Sequence, residues 1–327
     1  MARTSDAGVT AAREIPAAAV AVARPGRRRG GWRKRIELTV LIGPALILFV
    51  GFVIVPMVLA AWYSFYNWSG YGPLTDFVGL QNYSGVLAGP VFRESLLHNV
   101  IIAVLSLVIQ LPLSIGLALL LNRQFRGRTF LRVAVFTPYV LAEASTAVMW
   151  LLVLQPGGFV DAILKAVGLG GLVHLWLASK SLVLYTLFAV LTWKYIGFGI
   201  VLLLAGLQGV PGELREAAAI DGATPWQATR RVTLPLLGPT IRIWIFLSVI
   251  GSLQLFDIVW IMTVGGPGNA SSTMVTYMYF NGVQRVQFGY GSAVAVVLFL
   301  ISFAFALAYQ RFALSRDTAG AVTRAVE

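Results

Sequence analysis

Three ionisable side chains, Glu143, Lys194 and Asp257, stand within stretches of the sequence that are otherwise almost wholly apolar. Charged groups are costly in such surroundings, and where they occur they commonly line a path for a polar solute or pair with one another. Glu143 and Lys194 fall at similar distances from the ends of their stretches, which predicts a buried ion pair. The alternative is that either side chain snorkels to a nearby water boundary.

Uncharged polar and aromatic residues accompany these charges and suit hydrogen bonding to an uncharged polyol such as a sugar. Gln110 lies on a polar helical face beside a kink predicted at Pro112. Gln254 shares a helical face with Asp257, and Trp260 offers a ring for stacking. The predicted substrate pathway therefore contains six residues: Gln110, Glu143, Lys194, Gln254, Asp257 and Trp260. Packing between helices uses polar residues too, and this remains the alternative explanation.

The composition leaves little scope for catalysis or metal binding by this chain. It has no cysteine and only two histidines, His98 and His174, which are far apart in the sequence. It contains neither a Gly-x-x-x-x-Gly-Lys-Ser/Thr loop for phosphates nor an evident Ser/His/Asp arrangement. We predict no catalytic residue, no metal site and no cofactor bound by the chain itself, which would therefore not be an enzyme.

The elements that must position these residues are membrane helices. The 327 residues are 58% hydrophobic and 12% charged, whereas soluble domains carry about 25% charged residues. A hydrocarbon core of ~30 Å requires about 20 apolar residues in helical form. Six stretches qualify: Leu38–Trp62, Leu97–Leu121, Phe130–Leu154, Leu182–Leu207, Ile241–Thr263 and Gly291–Ala313. The prediction is an all-α integral membrane protein built as a six-helix bundle.

The distribution of basic residues predicts the orientation of this bundle. Counting residues at the membrane edges, 20 of the 25 Lys and Arg fall in residues 1–37, 122–129, 208–240 and after 313. Because cytoplasmic segments carry the excess of positive charge, both termini are predicted to be cytoplasmic. The net charge of +12 is thus explained by topology and contact with anionic lipid rather than by nucleic acid.

These features divide the chain into five predicted parts. The basic tail, residues 1–37, is expected to be disordered. The chain is predicted to cross the plasma membrane several times. The parts are a cytoplasmic tail (1–37), a first membrane helix (38–62), an outer loop (63–96), a five-helix core (97–313) and a cytoplasmic tail (314–327).

The cytoplasmic segment 208–240 is predicted to fold as two short helices with a sharp bend. Gly222 suits the left-handed conformation that ends a helix. Thr224 followed three residues later by Gln227 predicts a capping box that starts the second helix, and Pro235 is predicted to end it. Small alanine side chains before the bend would let another protein approach closely. The alternative is an amphipathic loop that rests on the membrane surface.

The same segment resembles a known family. Glu216-Ala217-Ala218, then Asp221-Gly222-Ala223 and Leu234-Pro235, are similar to the "EAA" loop of permease subunits in binding-protein-dependent ABC importers. Matches elsewhere, such as Gly289-Tyr290-Gly291-Ser292-Ala293, resemble the sugar-uptake branch with its maltose and glycerol-phosphate permeases. The resemblance implies a type I importer permease fold, and it implies that the ATPase-coupling positions are Glu216, Ala217, Ala218, Asp221 and Gly222.

What the resemblance implies about function is a transport subunit that works within a complex. Its expected partners are a second permease, in a heterodimer, two ATP-binding subunits and an extracytoplasmic solute-binding protein. ATP with Mg would bind in the partner ATPase, and the transported solute would be a sugar or related polyol. Two alternatives remain, a permease of this class for another solute and a secondary transporter, although no inverted repeat is evident.

Overall fold

A computed structural model of the chain describes residues 31–314, so predictions for residues 1–30 and 315–327 lie outside the described part. Two compact units divide the chain, residues 1–56 and 57–327. The first contains helix α1 (Gly31–Phe49), a π-helical turn and the start of α2 (Val55–Tyr63). Helix α1 starts seven residues before the predicted membrane helix, because nothing between Gly31 and Leu38 interrupts a helix.

The first half of the second unit contains six helices, two of which form the long apolar stretch Pro90–Asn122. Its first helices are α3 (Gln81–Ala88), α4 (Pro90–Leu105), α5 (Leu111–Asn122), α6 (Arg128–Val140), α7 (Glu143–Leu154) and α8 (Phe159–Ala166). A π-helical turn, Ser106–Gln110, joins α4 to α5 directly before Pro112. A π-helical turn adds a residue to the helix, which helps to accommodate a proline that lacks an N–H donor.

The rest of the second unit alternates long helices with short ones. The helices are α9 (Val183–Gln208), α10 (Gly212–Ile220), α11 (Pro225–Ala228), α12 (Leu234–Leu236), α13 (Gly238–Leu253), α14 (Asp257–Thr263), α15 (Met274–Tyr279) and α16 (Phe288–Tyr309). Within residues 31–314 the only strand pairing is an isolated bridge between Tyr66 and Phe77. The described part of the chain is therefore all-helical, as predicted.

Four continuous helical stretches in the described residues are long and apolar enough to cross a membrane, namely Leu38–Tyr63, Pro90–Asn122, Val183–Gln208 and Phe288–Ala313. They agree with the first, second, fourth and sixth predicted spans. The number rises to six if two bent helix pairs, α6 with α7 and Pro225–Leu236 with α13, each count as one span. By length and composition, the described helices are those of a multi-pass membrane protein.

Two predicted spans are not the continuous helices that the sequence led us to expect. The third, Phe130–Leu154, bends by 103° between α6 and α7. The fifth, Ile241–Thr263, is interrupted after Leu253 and resumes as α14 at Asp257. An apolar stretch predicts membrane depth and not helical continuity, since a polar backbone is tolerated at that depth where it is buried or lines a cavity.

Helix α9 lies at the centre of the second unit and contributes to two of its three apolar clusters. One cluster joins α9 to α7 and α14 through Leu187, Ala147 and Ile258. Another joins α9 to α5 through Leu203 and Leu121. The third packs α4, α13, α15 and α16 together. The interrupted helices α7 and α14 are thus held firmly against an uninterrupted one.

Candidate functional site

A cavity of about 310 Å³ lies among α4, α7, α9, α13 and α14. It forms where the two interrupted segments and the π-helical turn Ser106–Gln110 meet. Its walls combine polar and aromatic groups in an otherwise apolar bundle, and the lining residues are Ile102, Ser106, Gln110, Glu143, Leu191, Tyr195, Phe198, Trp244, Leu247, Ser248, Gly251, Ser252, Gln254, Leu255, Phe256 and Asp257. A concave site with a few convergent polar groups is typical of small-molecule binding.

The break between α6 and α7 is stabilised by a buried lysine. Leu141 and Ala142 have extended backbone, and the carbonyl oxygen of Leu141 accepts a hydrogen bond from Lys194 Nζ at 2.6 Å. Lys194 is only 2% exposed. Its positive charge stands at the carboxyl end of α6, where the helix dipole favours a cation. The break therefore places Glu143 as the first residue of α7, at the wall of the cavity.

The break between α13 and α14 has its own partner for the unwound backbone. The carbonyl oxygen of Leu255 accepts a hydrogen bond from Thr273 Oγ1 at 2.8 Å. Thr273 is fully buried and also forms a capping box that starts α15. The satisfied carbonyl makes the interruption a stable feature, and Gln254 and Asp257, on either side of Leu255, line the cavity.

Two carboxylates face this cavity, and they differ in their hydrogen bonding. Glu143 accepts a hydrogen bond from the hydroxyl of Tyr195. Asp257 is exposed, and its carboxylate has no hydrogen-bond or ion-pair partner among the described residues. Helix α7 directs the positive end of its dipole toward Glu143, which lies in its first turn. The wall therefore offers one oriented and one open acceptor group.

Gln110 is one of three buried polar residues among the described residues of the wall, with Ser106 and Ser252. It is the last residue of the π-helical turn and is 6% exposed, yet its amide makes no hydrogen bond to a described residue. Since the amide lines the cavity, a solute or a water there can exchange hydrogen bonds with it.

The structure brings four of the six predicted pathway residues together at the cavity: Gln110, Glu143, Gln254 and Asp257. Lys194 and Trp260 are not among the lining residues. Lys194 and Glu143 also share no direct ion pair, because the ammonium binds Leu141 and the carboxylate binds Tyr195. The predicted direct contact is not formed, since the interruption of the third segment gave Lys194 a backbone partner that a continuous helix would not offer, but the two charges still interact electrostatically.

Trp260 belongs to an aromatic cluster behind the cavity wall. It stacks on Phe256 at 5.8 Å between ring centroids and meets Tyr279 edge-on at 4.7 Å. Phe256 is the member of this cluster that lines the cavity. The sequence prediction missed Tyr195, whose hydroxyl beside Lys194 in an apolar stretch was the available signal.

The second candidate site is the exposed segment 208–240. Gly222 has φ +80°, and it ends α10 with a Schellman motif in which Ala223 N–H binds Ala218 O at 2.9 Å and Gly222 N–H binds Ala219 O at 3.0 Å. Thr224 and Gln227 form the predicted capping box, with both reciprocal hydrogen bonds present. The predicted two-helix fold with its bend at Gly222 is confirmed.

One detail of this segment differs from the prediction. Pro235 does not end the second helix, which runs on to Leu236. The π-helical turn Thr229–Thr233 precedes Pro235. Such a turn changes the register of the backbone hydrogen bonds and accommodates the missing N–H of proline. The helix bends instead before α13, by 64°.

The residues around the bend form an exposed surface with an apolar component. Glu216, Ala217, Asp221 and Gly222 are exposed and Ala218 is partly buried. Ile220 is 87% exposed and Trp226 is 67% exposed, and such large apolar side chains on either side of a bend are typical of a protein contact. We call the two-helix part of this segment, Gly212–Leu236, the knob. A rigid element with this surface is suited to transmit movement between two proteins.

A third polar site lies in the segment between α7 and α9. Asp161 in α8 is buried and accepts hydrogen bonds from Trp176 Nε1 at 2.9 Å and from the backbone N–H of Gly157 at 2.8 Å. The donor from Trp176, and then that from Gly157, lower the pKa of Asp161 below its usual value. This carboxylate closes a loop and does not reach the cavity.

Comparison with known proteins relates the whole arrangement to one family. A sequence profile of the family described as "Binding-protein-dependent transport system inner membrane component" matches residues 81–317. Because this range contains the cavity, both interrupted segments and segment 208–240, both candidate sites belong to the part of the chain that matches.

Two relatives and one solved structure extend this comparison. The "Trehalose/maltose transport system permease protein MalF" of Thermococcus litoralis is 33% identical over 270 residues, 82% of this chain and 90% of the relative. The "Sulfoquinovosyl glycerol transport system permease protein SmoG" of Agrobacterium fabrum is 32% identical over 286 residues, 86% and 92% of the two chains. A bacterial ABC transporter involved in the import of the acidic polysaccharide alginate has the same fold, with a TM-score of 0.75 at 22% identity, over 87% of this chain and 98% of that one.

Proposed function

Because the chain belongs to the family of binding-protein-dependent transport system inner membrane components, we propose that it forms half of the translocation pathway for a sugar or related polyol. The chain is a membrane permease subunit of an ABC importer. In this proposal the cavity receives the solute, and segment 208–240 couples the subunit to a separate ATPase. ATP and Mg bind to that partner and not to this chain.

The proposed topology has six spans, with both termini in the cytoplasm, in a bacterial inner membrane. Two of the spans are the bent pair α6 with α7 and the interrupted pair α13 with α14, and Pro225–Leu236, which is bent by 64° from α13, is assigned to the cytoplasmic segment and not to a span. Support comes from the distribution of basic residues, since 20 of the 25 Lys and Arg fall on one predicted side. This orientation places segment 208–240 in the cytoplasm, where an ATP-binding subunit is available.

The observation that carries the coupling role is the rigid two-helix knob around Gly222. A capping box and a Schellman motif fix its two helices, while the residues that resemble the family's coupling motif remain exposed. A loop that only connected two spans would need neither device. We propose that Glu216, Ala217, Ala218, Asp221 and Gly222 contact the ATPase.

The proposed substrate follows from the cavity and from the names of the relatives. The two named relatives are permease proteins of a trehalose/maltose and of a sulfoquinovosyl glycerol transport system, and the wall offers amide, hydroxyl and carboxylate groups beside aromatic rings. A second permease subunit would supply the other half of the pathway, in a heterodimer. A solved alginate transporter of the same fold is in complex with a periplasmic protein, and we propose a solute-binding protein as a further partner here.

Interrupted helices by themselves would also suit a secondary transporter. The exposed knob has no role in such a protein, whereas an ATPase-driven importer requires a contact of this kind. The family profile covers the knob as well as the cavity, and this favours the importer.

Cross-linking tests the coupling role directly, because the natural chain contains no cysteine. Ala219→Cys places a single thiol on the exposed face of α10, and Ser69→Cys places one in the segment after α2. A short bifunctional reagent in membrane vesicles is expected to join the Ala219→Cys variant, and not the Ser69→Cys variant, to a nucleotide-hydrolysing subunit. Capture of the ATPase from neither position, or equally from both, would contradict the proposal.

A further inference from the structure

We propose that the cavity carries a net negative charge that rejects anionic solutes, so that the substrate is a neutral or amino sugar rather than a uronate or sulfonate. The inference deepens the proposed function and rests on it for the statement that a solute enters this cavity. It depends on three observations, which are the two acids, the position of the one nearby cation and an unpartnered amide.

The two acids of the wall both face the cavity but have different partners. Tyr195 donates its hydroxyl proton toward Glu143, which also lies in the first turn of a twelve-residue helix. Asp257 is exposed to the cavity and can be solvated there. Both acids, which carry formal negative charge, therefore face a solute in the cavity.

No cation of the lining compensates these charges, since none of the described residues that line the cavity is Lys, Arg or His. Lys194 is the nearby basic residue on α9, and its charge acts on Glu143, so that it offsets one of the two acids, but it is not among the residues that line the cavity. Its ammonium binds Leu141 O at 2.6 Å and the side chain is 2% exposed. A solute in the cavity can contact the two acids directly, whereas it cannot contact the ammonium of Lys194, which lies behind the wall.

Gln110 points to a ligand independently of the charges. Its amide is nine-tenths buried, lines the cavity and has no hydrogen-bond partner among residues 31–314. Gln254, which also lines the cavity, is exposed, and its side chain likewise has no hydrogen-bond partner in the described chain. An amide both donates and accepts, and so it matches sugar hydroxyls. The cavity thus combines groups that accept a polyol with charges that oppose an anion.

Repulsion of the wrong partner is a physical means of specificity that adds nothing to the affinity for the right one. Two carboxylates in a partly dehydrated cavity raise the energy of an anionic ligand far more than the same charges would in water. A hydroxyl-rich neutral sugar donates hydrogen bonds to the same carboxylates, and an ammonium group on the sugar is attracted.

Charged thiol reagents can measure the electrostatic potential of the cavity, and the substrate need not be known for this. Ser248→Cys and, separately, Gly251→Cys place a single thiol on the cavity wall, where a Cβ at Gly251 meets no atom within 4 Å. In membrane vesicles with the full transporter, we compare modification of this chain by a cationic and an anionic methanethiosulfonate of equal size, by mass spectrometry. Rates are normalised to those with free 2-mercaptoethanol.

The cationic reagent is expected to react at least 10-fold faster than the anionic one after normalisation. Adding Glu143→Gln and Asp257→Asn should reduce this preference severalfold, whereas Asp76→Asn, which removes one carboxylate outside the cavity, should leave it unchanged. Equal normalised rates, a preference that survives both neutralisations, or no reaction at either cavity position while Ser69→Cys reacts would overturn the inference. Because no step requires ATP-driven uptake, this outcome is distinguishable from failure of the proposed function.

Discussion

The ammonium of Lys194 donates a hydrogen bond to the carbonyl oxygen of Leu141 at the point where α6 ends and the chain turns by 103°. This contact joins the middle of an uninterrupted helix to the break of its neighbour. It satisfies a carbonyl that α6 leaves unpaired, and it fixes the start of α7 with Glu143. Lys194 is therefore a positioning residue for the cavity and not part of its surface.

Replacing Lys194 by methionine is expected to destabilise the protein. Lys194→Met keeps the length of the side chain but leaves Leu141 O without its partner, at a cost of about 1–3 kcal/mol for a buried polar group. The midpoint of thermal unfolding in detergent, followed by tryptophan fluorescence, should fall. Lys165→Met removes an exposed lysine and should leave the midpoint nearly unchanged. A Lys194→Met protein as stable as its parent would show that this hydrogen bond does not hold the break.

Local chemistry made segment 208–240 predictable. Gly222, Thr224 and Gln227 determine helix ends by contacts that span only a few residues, and all three take the predicted roles. The one error, at Pro235, also has a local cause, the π-helical turn before it. The sequence contains no comparably strong signal for such turns.

The cavity was predictable only in part, because it depends on where helices are interrupted. Hydropathy averages over a window, so Leu141–Ala142 and the break after Leu253 read as apolar helix. Pro138, three residues before the first break, was the available hint. The polar residues Gln254 and Asp257 were recognised, whereas the partner of Lys194 follows from a tertiary contact that no spacing reveals.

Substitution of the glycine at the bend tests the rigid knob. Gly222→Ala is expected to weaken coupling, because φ +80° is costly for a residue with a Cβ, by about 1–2 kcal/mol. Gly212→Ala is a matched control, since a Cβ at either position meets no atom within 4 Å and only Gly222 has a positive φ. Transport-coupled ATP hydrolysis by the reconstituted complex should fall for Gly222→Ala alone. Equal activity of the two variants would argue against a fixed bend.

The loop closed by Asp161 should open in acid. Because hydrogen bonds from Trp176 and Gly157 lower its pKa from the usual 3.8, the carboxylate stabilises the folded loop at any pH above that value. This stabilisation is lost as the pH falls through the lowered pKa. Hydrogen exchange of residues 157–176 should therefore accelerate, relative to the rest of the chain, as the pH falls below about 4.

A neutral side chain at this position should remove that dependence. Asp161→Asn is expected to show faster exchange of the loop already at neutral pH and little further change in acid. Asp76→Asn alters an exposed carboxylate bonded to Asn67 and should leave the loop as it is. If the acid response of residues 157–176 persisted in Asp161→Asn, another group would have to be responsible.

The start of the last membrane helix depends on a close contact between two glycines. A Cβ at Gly291 in α16 would lie 2.5 Å from the Cα of Gly282 in the π-helical turn Phe280–Gln284. Gly291→Ala must therefore separate two backbones, and overpacking of this kind costs about 1–3 kcal/mol. We expect a lower midpoint of thermal unfolding in detergent.

Gly116→Ala provides the comparison for this last prediction. Gly116 is also a helical glycine, but a Cβ there meets no atom within 4 Å, so alanine should stabilise α5 by up to about 1 kcal/mol through helix propensity. The two identical substitutions should thus move the midpoint in opposite directions. If both raised it, the contact between Gly291 and Gly282 would be loose enough to admit a methyl group, and close backbone packing could not explain the glycine at position 291.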